Sequence, residues 1–210
     1  MEFVAATNNR HKLDELGRML EKAGHTVVSL ADEGVETEPN ETGATFAENA
    51  LIKARAALKA TGKPALADDS GLEVEALSGA PGVESARFAG RHGDDEANNK
   101  KLMRLLERTP YAKRGARFVS ALALVTPDGG ELVAEGSVEG SIGLVPSGEN
   151  GFGYDPLFYV NNRSFADMSD EEKDEVSHRG AAMREFLAKL PAFLKQHGSG
   201  AAAPDAAAEG

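Results

Sequence analysis

Short apolar runs alternate with amphipathic stretches along the N-terminal third of the chain. Residues 3–6 and 26–30 are brief, apolar and bounded by polar or turn-forming residues, which predicts two strands. Between them, residues 12–22 carry apolar side chains at helical spacing and Gly24 closes the segment, which predicts a helix. A second helix is predicted from near Ala44 to Gly62, after a polar loop. This succession of strand, turn and helix is typical of an α/β fold.

The rest of the sequence predicts further helices and a hairpin. Residues 94–108 form an amphipathic helix in which no side chain suggests a chemical role. The most apolar run, residues 117–126, is followed by an Asp-Gly-Gly turn and a returning strand over 131–135. Residues 169–172 fit a capping box that starts a short helix, and the apolar positions over 181–195 predict a C-terminal helix.

Two adjacent carboxylates, Asp68 and Asp69, follow a short buried run at residues 65–67. We expect the strand to end at the Ser-Gly pair that comes next, and a separate strand to run over residues 71–77. Both acids would then lie at a carboxyl end of the sheet, where α/β folds bind ligands. Two like charges side by side repel, so we expect a cation or a shared proton between them. A solvated Asp-Asp-Ser-Gly turn is the alternative interpretation.

Composition and charge narrow the class of protein. The 210 residues include no cysteine, so any metal must be held by oxygen or imidazole, and oxygen ligands favour Mg2+ or Mn2+. The net charge of -11 opposes binding to long nucleic acid. No apolar run has the length of a membrane span and the N-terminus lacks the features of a signal peptide, so we expect a cytoplasmic protein with no membrane partner. Residues 1–197 are expected to form one domain, followed by a disordered low-complexity tail over 198–210.

Charged side chains at the predicted element ends point to an anionic ligand. The basic run 10–12 crowds the first turn of a helix, where the dipole disfavours cations unless an anion is bound; a solvated basic turn is the alternative. Lys53 shares a helix face with Phe46, so it lies at the rim of the core or reaches into a cleft. The Ser-His-Arg-Gly run at 177–180 likewise lies at an element boundary and either enters a cleft or forms a solvated turn. With the two acids and the aromatic-bearing glycine loop over 148–158, these cations predict a site for a nucleotide polyphosphate and Mg2+.

Six separated segments carry motifs that occur together in one family. They are ATNNRHK at 6–12, ETGATFAENALIKA at 41–54, ADDSGLEV at 67–74, GAPGVESAR at 79–87, GFGYDPLF at 151–158 and SHRGAA at 177–182. In this order they closely resemble the inosine triphosphate pyrophosphatase family, the noncanonical purine nucleoside triphosphate (dITP/XTP) pyrophosphatases. The resemblance covers the chain from its first residue to the predicted C-terminal helix, and only the tail lies outside it.

The resemblance implies an elongated α/β fold with a central mixed sheet flanked by helices, two lobes around an active-site cleft, and a homodimer. It implies hydrolysis of ITP, dITP and XTP to nucleoside monophosphate and diphosphate with Mg2+, or Mn2+ as a substitute, which removes deaminated purines from the nucleotide pool. The nearest alternative is a Maf-type pyrophosphatase of pyrimidine or modified nucleotides, which shares the broad fold. A nucleotide-binding module without catalytic activity is an alternative from another class.

The resemblance also implies roles for individual residues. Glu41 and Asp69 would bind the metal, with Asp68 supporting the metal shell, and Asp69 would also activate a water that attacks the α-phosphorus. The triphosphate would be bound by Thr7, Asn8, Asn9, Arg10, His11, Lys12 and Lys53. The base and sugar pocket would be lined by Phe152, Gly153, Tyr154, Asp155, Lys173, His178 and Arg179, with Ser70 near the substrate. The sequence does not divide the roles of metal ligand and base at Asp69.

Overall fold

A computed structural model describes residues 1–197, and the predicted tail over 198–210 lies outside the described residues. The strands are β1 Glu2–Ala5, β2 Thr26–Ser29, β3 Ala65–Val74, β4 Gly115–Val125, β5 Glu131–Ile142, β6 Phe158–Val160 and β7 Arg163–Ser164. The α-helices are α1 Arg10–Lys22, α2 Phe46–Thr61, α3 Asp95–Leu105, α4 Asp170–Val176 and α5 His178–His197. Within residues 1–197, no helix combines the length and the apolar character that crossing a membrane requires.

One seven-stranded sheet, in the order β2-β1-β3-β4-β5-β6-β7, runs through the molecule. The first three of these strands are parallel to one another, and each later neighbour pairs antiparallel. The sheet is therefore mixed, and helices cover both of its faces. This confirms the predicted α/β class.

The core lies on both faces of β3 and β4. Because side chains alternate along a strand, Leu66 and Leu122 face α1 and α5 and pack with residues such as Phe186. Ala67 and Ala123 face the opposite side, where small residues let α2 approach the sheet closely. A third cluster around the distal parts of β4, β5 and β6 forms the other end of the molecule. Each face of the central strands therefore meets a different set of helices.

Strand β3 is longer than predicted. It continues through the Ser-Gly pair to Val74, and β4 pairs with it over its whole length, from Ala65↔Val125 to Val74↔Ala116. The expectation that this strand ends after the two acids, with a separate strand over 71–77, is wrong. Gly71 is needed for close approach instead, because a methyl group there would lie 2.5 Å from the Ser85 hydroxyl oxygen and 2.6 Å from the Gly82 carbonyl oxygen.

The neighbouring strand β1 stops early, and this shapes the site. It pairs with β3 only through Val4↔Ala65 and Ala5↔Leu66, after which the chain turns away toward α1. Beyond Leu66, the edge of β3 on the β1 side is therefore left without a strand partner. Asp68 and Asp69 lie beside this gap, in the middle of one strand and just past the carboxyl end of the adjacent strand.

Candidate active site

The two adjacent acids point to opposite faces of the sheet. Strand alternation directs Asp68 toward α1 and α5, on the side of Leu66, and Asp69 toward α2, on the side of Ala67. The expectation of a cation between the two acids is therefore wrong. Each carboxylate has its own cations instead: Lys12 and Arg179 for Asp68, and Lys53 for Asp69.

Asp68 is buried and both of its oxygens are bonded to protein donors. Lys12 Nζ lies 2.8 Å away, and Arg179 donates to the carboxylate from Nε at 3.3 Å and from an NH2 group at 3.1 Å. The hydroxyls of Ser120 and Ser70 donate at 2.6 Å and 3.2 Å. Burial alone would raise the pKa of Asp68, but the charges of Arg179 and Lys12 outweigh it and hold that pKa well below its ordinary value. Asp68 is therefore a permanent anion.

Glu15 of α1 belongs to the same network, and the sequence analysis missed it. Its carboxylate accepts a hydrogen bond from Lys173 at 2.8 Å and one from Arg179. Burial would raise the pKa of Glu15, but Arg179 and Lys173 lower it to about 2. Lys173 also contacts Asp155 at 2.6 Å, so one buried network joins α1, α4, α5 and the glycine loop. The available signal was an acid next to Leu16 on the buried side of an amphipathic helix.

Four of the five N–H groups of the Arg179 guanidinium are engaged by Asp68, Glu15 and Ser70. His178, its neighbour in the first turn of α5, is buried and stacks on Phe118 with ring centroids 4.6 Å apart. Burial and then the charge of Arg179 bring the pKa of His178 well below its ordinary value, so the ring is neutral at physiological pH. Its Nδ1 atom is buried and has no partner among residues 1–197.

The glycine loop over 151–155 brings an aromatic ring to this network. Phe152 stacks on His11 with ring centroids 5.2 Å apart and an interplanar angle of 11°. Lys173 Nζ lies 4.9 Å from the centre of the same ring, and Asp155 accepts a hydrogen bond from the Phe152 N–H at 2.9 Å. Tyr154 is buried, and its hydroxyl donates to the Ser85 carbonyl at 2.9 Å. The structure thus joins Phe152, Asp155 and Lys173 of the predicted base pocket, whereas the Tyr154 hydroxyl is bonded to a separate segment of the chain.

The turn before α1 brings polar groups to the gap beside β3. Asn9 caps the helix and accepts from the Lys12 N–H at 3.2 Å, and the Thr7 hydroxyl accepts from the Asn9 N–H at 3.1 Å. Asn8, Arg10 and His11 are exposed, and the first turn of the helix holds no acid. Cations at a helix N-terminus with free N–H groups favour a bound anion.

On the other face, Lys53 of α2 connects two carboxylates. Its Nζ lies 2.6 Å from Asp69 and 3.6 Å from Glu41, in the loop before α2. Burial raises the pKa of Asp69, the charges of Lys53 and Lys12 only partly offset that shift, and Glu41 adds to it. Asp69 is therefore a stronger base than an exposed aspartate. The pKa of Lys12 is lowered by burial and, despite Asp68, by nearby Lys53 and Arg179, so the cations are crowded.

The donor set of Glu41 and Asp69 fits Mg2+. Within residues 1–197, no group of three or more His, Cys, Asp or Glu side chains could hold a metal ion. Mg2+ does not need such a group, because it is usually bound through one or two carboxylates together with substrate phosphates and water. Both oxygens of Asp68 are taken by protein donors, and its side chain lies on the opposite face. The geometry therefore favours Glu41 and Asp69 as the pair that a divalent cation and a polyphosphate would complete.

Comparisons with known proteins show which sequences and structures this chain is similar to. The sequence model of the Ham1 family matches residues 3–189. A dITP/XTP pyrophosphatase of Mycobacteroides abscessus is 52% identical over 195 residues, which cover 90% of this chain and 95% of that protein. A dITP/XTP pyrophosphatase of Corynebacterium efficiens is 50% identical over 209 residues, covering 94% of this chain and 100% of the relative.

Solved structures give the same picture. The Staphylococcus aureus Ham1 protein superposes with a TM-score of 0.80 at 41% identity, over 91% of this chain and 99% of that one. The nucleoside-triphosphatase or dITP/XTP pyrophosphatase of Mycobacterium abscessus superposes with a TM-score of 0.72 at 52% identity, over 90% of this chain and 100% of that one. The resemblance drawn from the six sequence motifs is confirmed.

Proposed function

The chain belongs to the Ham1 family, and on that premise we propose that it hydrolyses noncanonical purine nucleoside triphosphates to nucleoside monophosphate and diphosphate. ITP, dITP and XTP are the proposed substrates, because dITP/XTP pyrophosphatases share about half of its sequence over most of its length. Within the molecule, one structural observation supports the proposal. Asp69, a buried carboxylate with a raised pKa, shares the ammonium group of Lys53 with Glu41 beside a cluster of cations.

We assign the triphosphate to the gap at the edge of β3. The residues that would bind it are Thr7, Asn8, Asn9, Arg10, His11, Lys12 and Lys53. The crowding of Lys12, Lys53 and Arg179 supports this assignment, because an incoming polyphosphate would neutralise cations that now repel one another. Phosphate binding would also draw Lys53 from Asp69 and free that carboxylate to act as a base.

In the proposed reaction, Asp69 takes a proton from a water molecule while the oxygen of that water attacks the α-phosphorus. A new bond forms between that oxygen and phosphorus, the bond from the α-phosphorus to the bridging oxygen breaks, and diphosphate leaves. Lys12 and Lys53 stabilise the charge that develops on the phosphate oxygens. No covalent intermediate with the protein is required.

Glu41 and Asp69 would hold the divalent cation, for which we propose Mg2+, with Mn2+ as a substitute. When bound, such an ion supplies charge neutralisation at the polyphosphate. Asp68 would support this arrangement from the other face, because it fixes Lys12 and Arg179 through buried ion pairs.

The base and sugar would occupy the pocket formed by the loop over 151–155 with Lys173, His178 and Arg179. Lys173 and the remaining N–H of Arg179 are donors, which suits the carbonyl at position 6 of hypoxanthine or xanthine. The amino group of adenine would place a hydrogen-bond donor opposite these donors, and each buried group left unpaired costs about 1–3 kcal/mol.

We extend the proposal to the organisation of the protein. Residues 1–197 would form the catalytic domain, as a homodimer in the cytoplasm, and residues 198–210 would be dispensable for catalysis. The partner would be a purine nucleotide rather than a long nucleic acid, since the net charge is -11.

The decisive experiment is a panel of nucleoside triphosphates assayed separately for diphosphate and orthophosphate release. We expect diphosphate from ITP, dITP and XTP, with much slower turnover of ATP. Preference for pyrimidine or modified nucleotides would instead identify a Maf-type activity. Nucleotide binding without any turnover would contradict the enzymatic function altogether.

A further inference from the structure

The first turns of α3 hold the main chain of Gly153 in the loop over 151–155. Asp95 Oδ2 accepts a hydrogen bond from the Gly153 N–H at 2.8 Å, and Asn99 Nδ2 donates one to the Gly153 carbonyl at 2.8 Å. The two side chains lie four residues apart, on one side of the helix. Gly153 has a φ of 63°, so the chain bends directly after Phe152. Helix α3 therefore fixes both peptide groups that flank this bend.

The structural needs of α3 do not explain these two side chains. Asp94 already caps the helix, accepting from the Ala97 N–H at 3.0 Å. Asn98 bonds to a different loop, through the Ala89 N–H at 2.7 Å. Asn99 is bound to the loop through its amide nitrogen, while its Oδ1 atom is buried and has no partner among residues 1–197. An unsatisfied buried oxygen destabilises the folded state, so the stability of α3 does not by itself account for Asn99 at this position.

What these contacts hold in place is the ring of Phe152. On one side of that residue the main chain is fixed at Gly153 by α3, and Asp155 accepts from the Phe152 N–H itself. The ring lies against His11 of α1 and near the ammonium group of Lys173. A shift of Gly153 would therefore move the ring relative to both helix α1 and the buried cations.

We propose that Asp95 and Asn99 are positioning residues for nucleobase binding: they clamp Gly153 and so hold the Phe152 ring where a purine stacks on it. This inference rests on the proposed function, since it takes the loop over 151–155 as part of the base pocket. The residues proposed to bind phosphate lie in the turn before α1, on α1 and on α2, and they make no hydrogen bond to Asp95 or Asn99 in the described part of the chain. Loss of the clamp should therefore weaken recognition of the base and spare recognition of phosphate.

The absence of tryptophan from the sequence allows a direct test. In Phe152→Trp protein the new indole is the sole tryptophan, and its fluorescence reports a purine that stacks on it. Inosine monophosphate is titrated into this protein with and without Asn99→Asp, which replaces the donor facing the Gly153 carbonyl by an acceptor. We expect the dissociation constant to rise about ten-fold or more, as for one lost buried hydrogen bond.

Tripolyphosphate, which has no base, provides the second measurement. Its inhibition of ITP hydrolysis should be the same for wild-type and Asn99→Asp protein within about two-fold, while KM for ITP rises more than kcat falls. Asp95 is exposed, so Asp95→Ala should fold, and it should raise the dissociation constant for inosine monophosphate and KM for ITP less than Asn99→Asp does. Glu96→Ala, which removes an exposed acid from the same helical turn, is the matched control and should leave the affinity for inosine monophosphate unchanged.

The outcomes separate this inference from the proposed function. If the tryptophan responds to inosine monophosphate but neither Asn99→Asp nor Asp95→Ala weakens binding, the positioning role is wrong and the base pocket stands. Equal weakening of tripolyphosphate binding and inosine monophosphate binding also overturns the positioning role, because the substitution would then disturb the whole site and not the base pocket alone. If the tryptophan of the Phe152→Trp parent does not respond to the nucleotide while ITP is still cleaved, Phe152 is not the base platform and the assigned pocket fails with the inference.

Discussion

Asp68 and Asp69 are identical, adjacent and both buried, yet the two faces of β3 give them opposite properties. The face of Asp68 is complete: two cations and two hydroxyls satisfy its oxygens, and its pKa lies well below the ordinary value. The face of Asp69 is incomplete, with one lysine shared between two carboxylates and a raised pKa. The difference comes from the packed helices, since α1 and α5 bring a closed ion network to one face and α2 brings a single cation to the other. One strand thus carries a fully paired carboxylate and an incompletely paired one side by side.

The strongest way to test this contrast is to remove divalent cations. Excess EDTA should abolish ITP hydrolysis, because Glu41 and Asp69 need a cation to approach a polyphosphate. The melting temperature should not change, since the ion network on the Asp68 face contains its own cations. Activity and thermal unfolding measured in the same EDTA-treated sample check both parts. Undiminished turnover in EDTA would contradict the metal assignment.

Asp69→Asn keeps the size of the side chain and removes the base. Turnover of ITP should fall by about 10²–10⁴-fold, the range for loss of a general base. Nucleotide binding should persist or tighten, because a negative charge beside the phosphates is removed. The comparison requires kcat together with a nucleotide affinity. Near-wild-type turnover would show that another group activates the water.

Asp68→Asn should lower the stability of the fold, whereas Asp69→Asn should lower turnover. Asp68→Asn removes the counter-charge of Lys12 and one of the two carboxylates paired with Arg179, and breaking such a buried pair costs about 3–5 kcal/mol of unfolding free energy. Chemical denaturation of both aspartate variants measures this, and Asp69→Asn should be the more stable protein. If Asp68→Asn were fully stable and less active than Asp69→Asn, the roles assigned to the two faces would be exchanged.

Replacing Glu15 by Gln has the smallest expected effect, a loss of unfolding free energy that depends on pH. Its pKa is about 2 in the folded protein and 4.5 in the reference state, so the folded state favours the charged form. This stabilisation is present above pH 4.5 and is lost as the pH falls toward 2, with a size on the order of 3 kcal/mol. Unfolding curves of wild-type and Glu15→Gln protein should therefore converge on acidification across this range. Parallel curves would mean that Glu15 does not titrate with folding.

Local signals in the sequence predicted local structure. The first strand, the helix after it and the capping box at Ser169 were predicted from spacing and cap residues, and the structure confirms them. The length of β3 was not predictable in this way, because Ser70 and Gly71 resemble a turn and pairing with β4 overrides that preference.

The site was predictable only in part, for a related reason. The motifs contained most of the residues that the fold brings together, but motif spacing does not say which face of a sheet each residue occupies. Asp68 and Asp69 were placed together because the strand was assumed to end there; a continuous strand separates them. Glu15 was missed because its partners Lys173 and Arg179 are 158 and 164 positions away along the chain.

The early end of β1 also limits which substrate contacts a mutation can change. On the β1 side, the next partners of β3 among residues 1–197 come at Leu72, whose N–H donates to the Ser85 hydroxyl, and at Val74, whose N–H donates to the Ala80 carbonyl beside a short bridge of Glu73 to Pro81. Between Leu66 and Leu72, main-chain groups face the gap, and their donors and acceptors are the same whatever the side chains are. A substrate contact made there would not depend on the identity of the side chain, except that proline would remove an N–H and a side chain at Gly71 would displace the strand. Selection for a new substrate would therefore act on the side chains of the surrounding loops and helices.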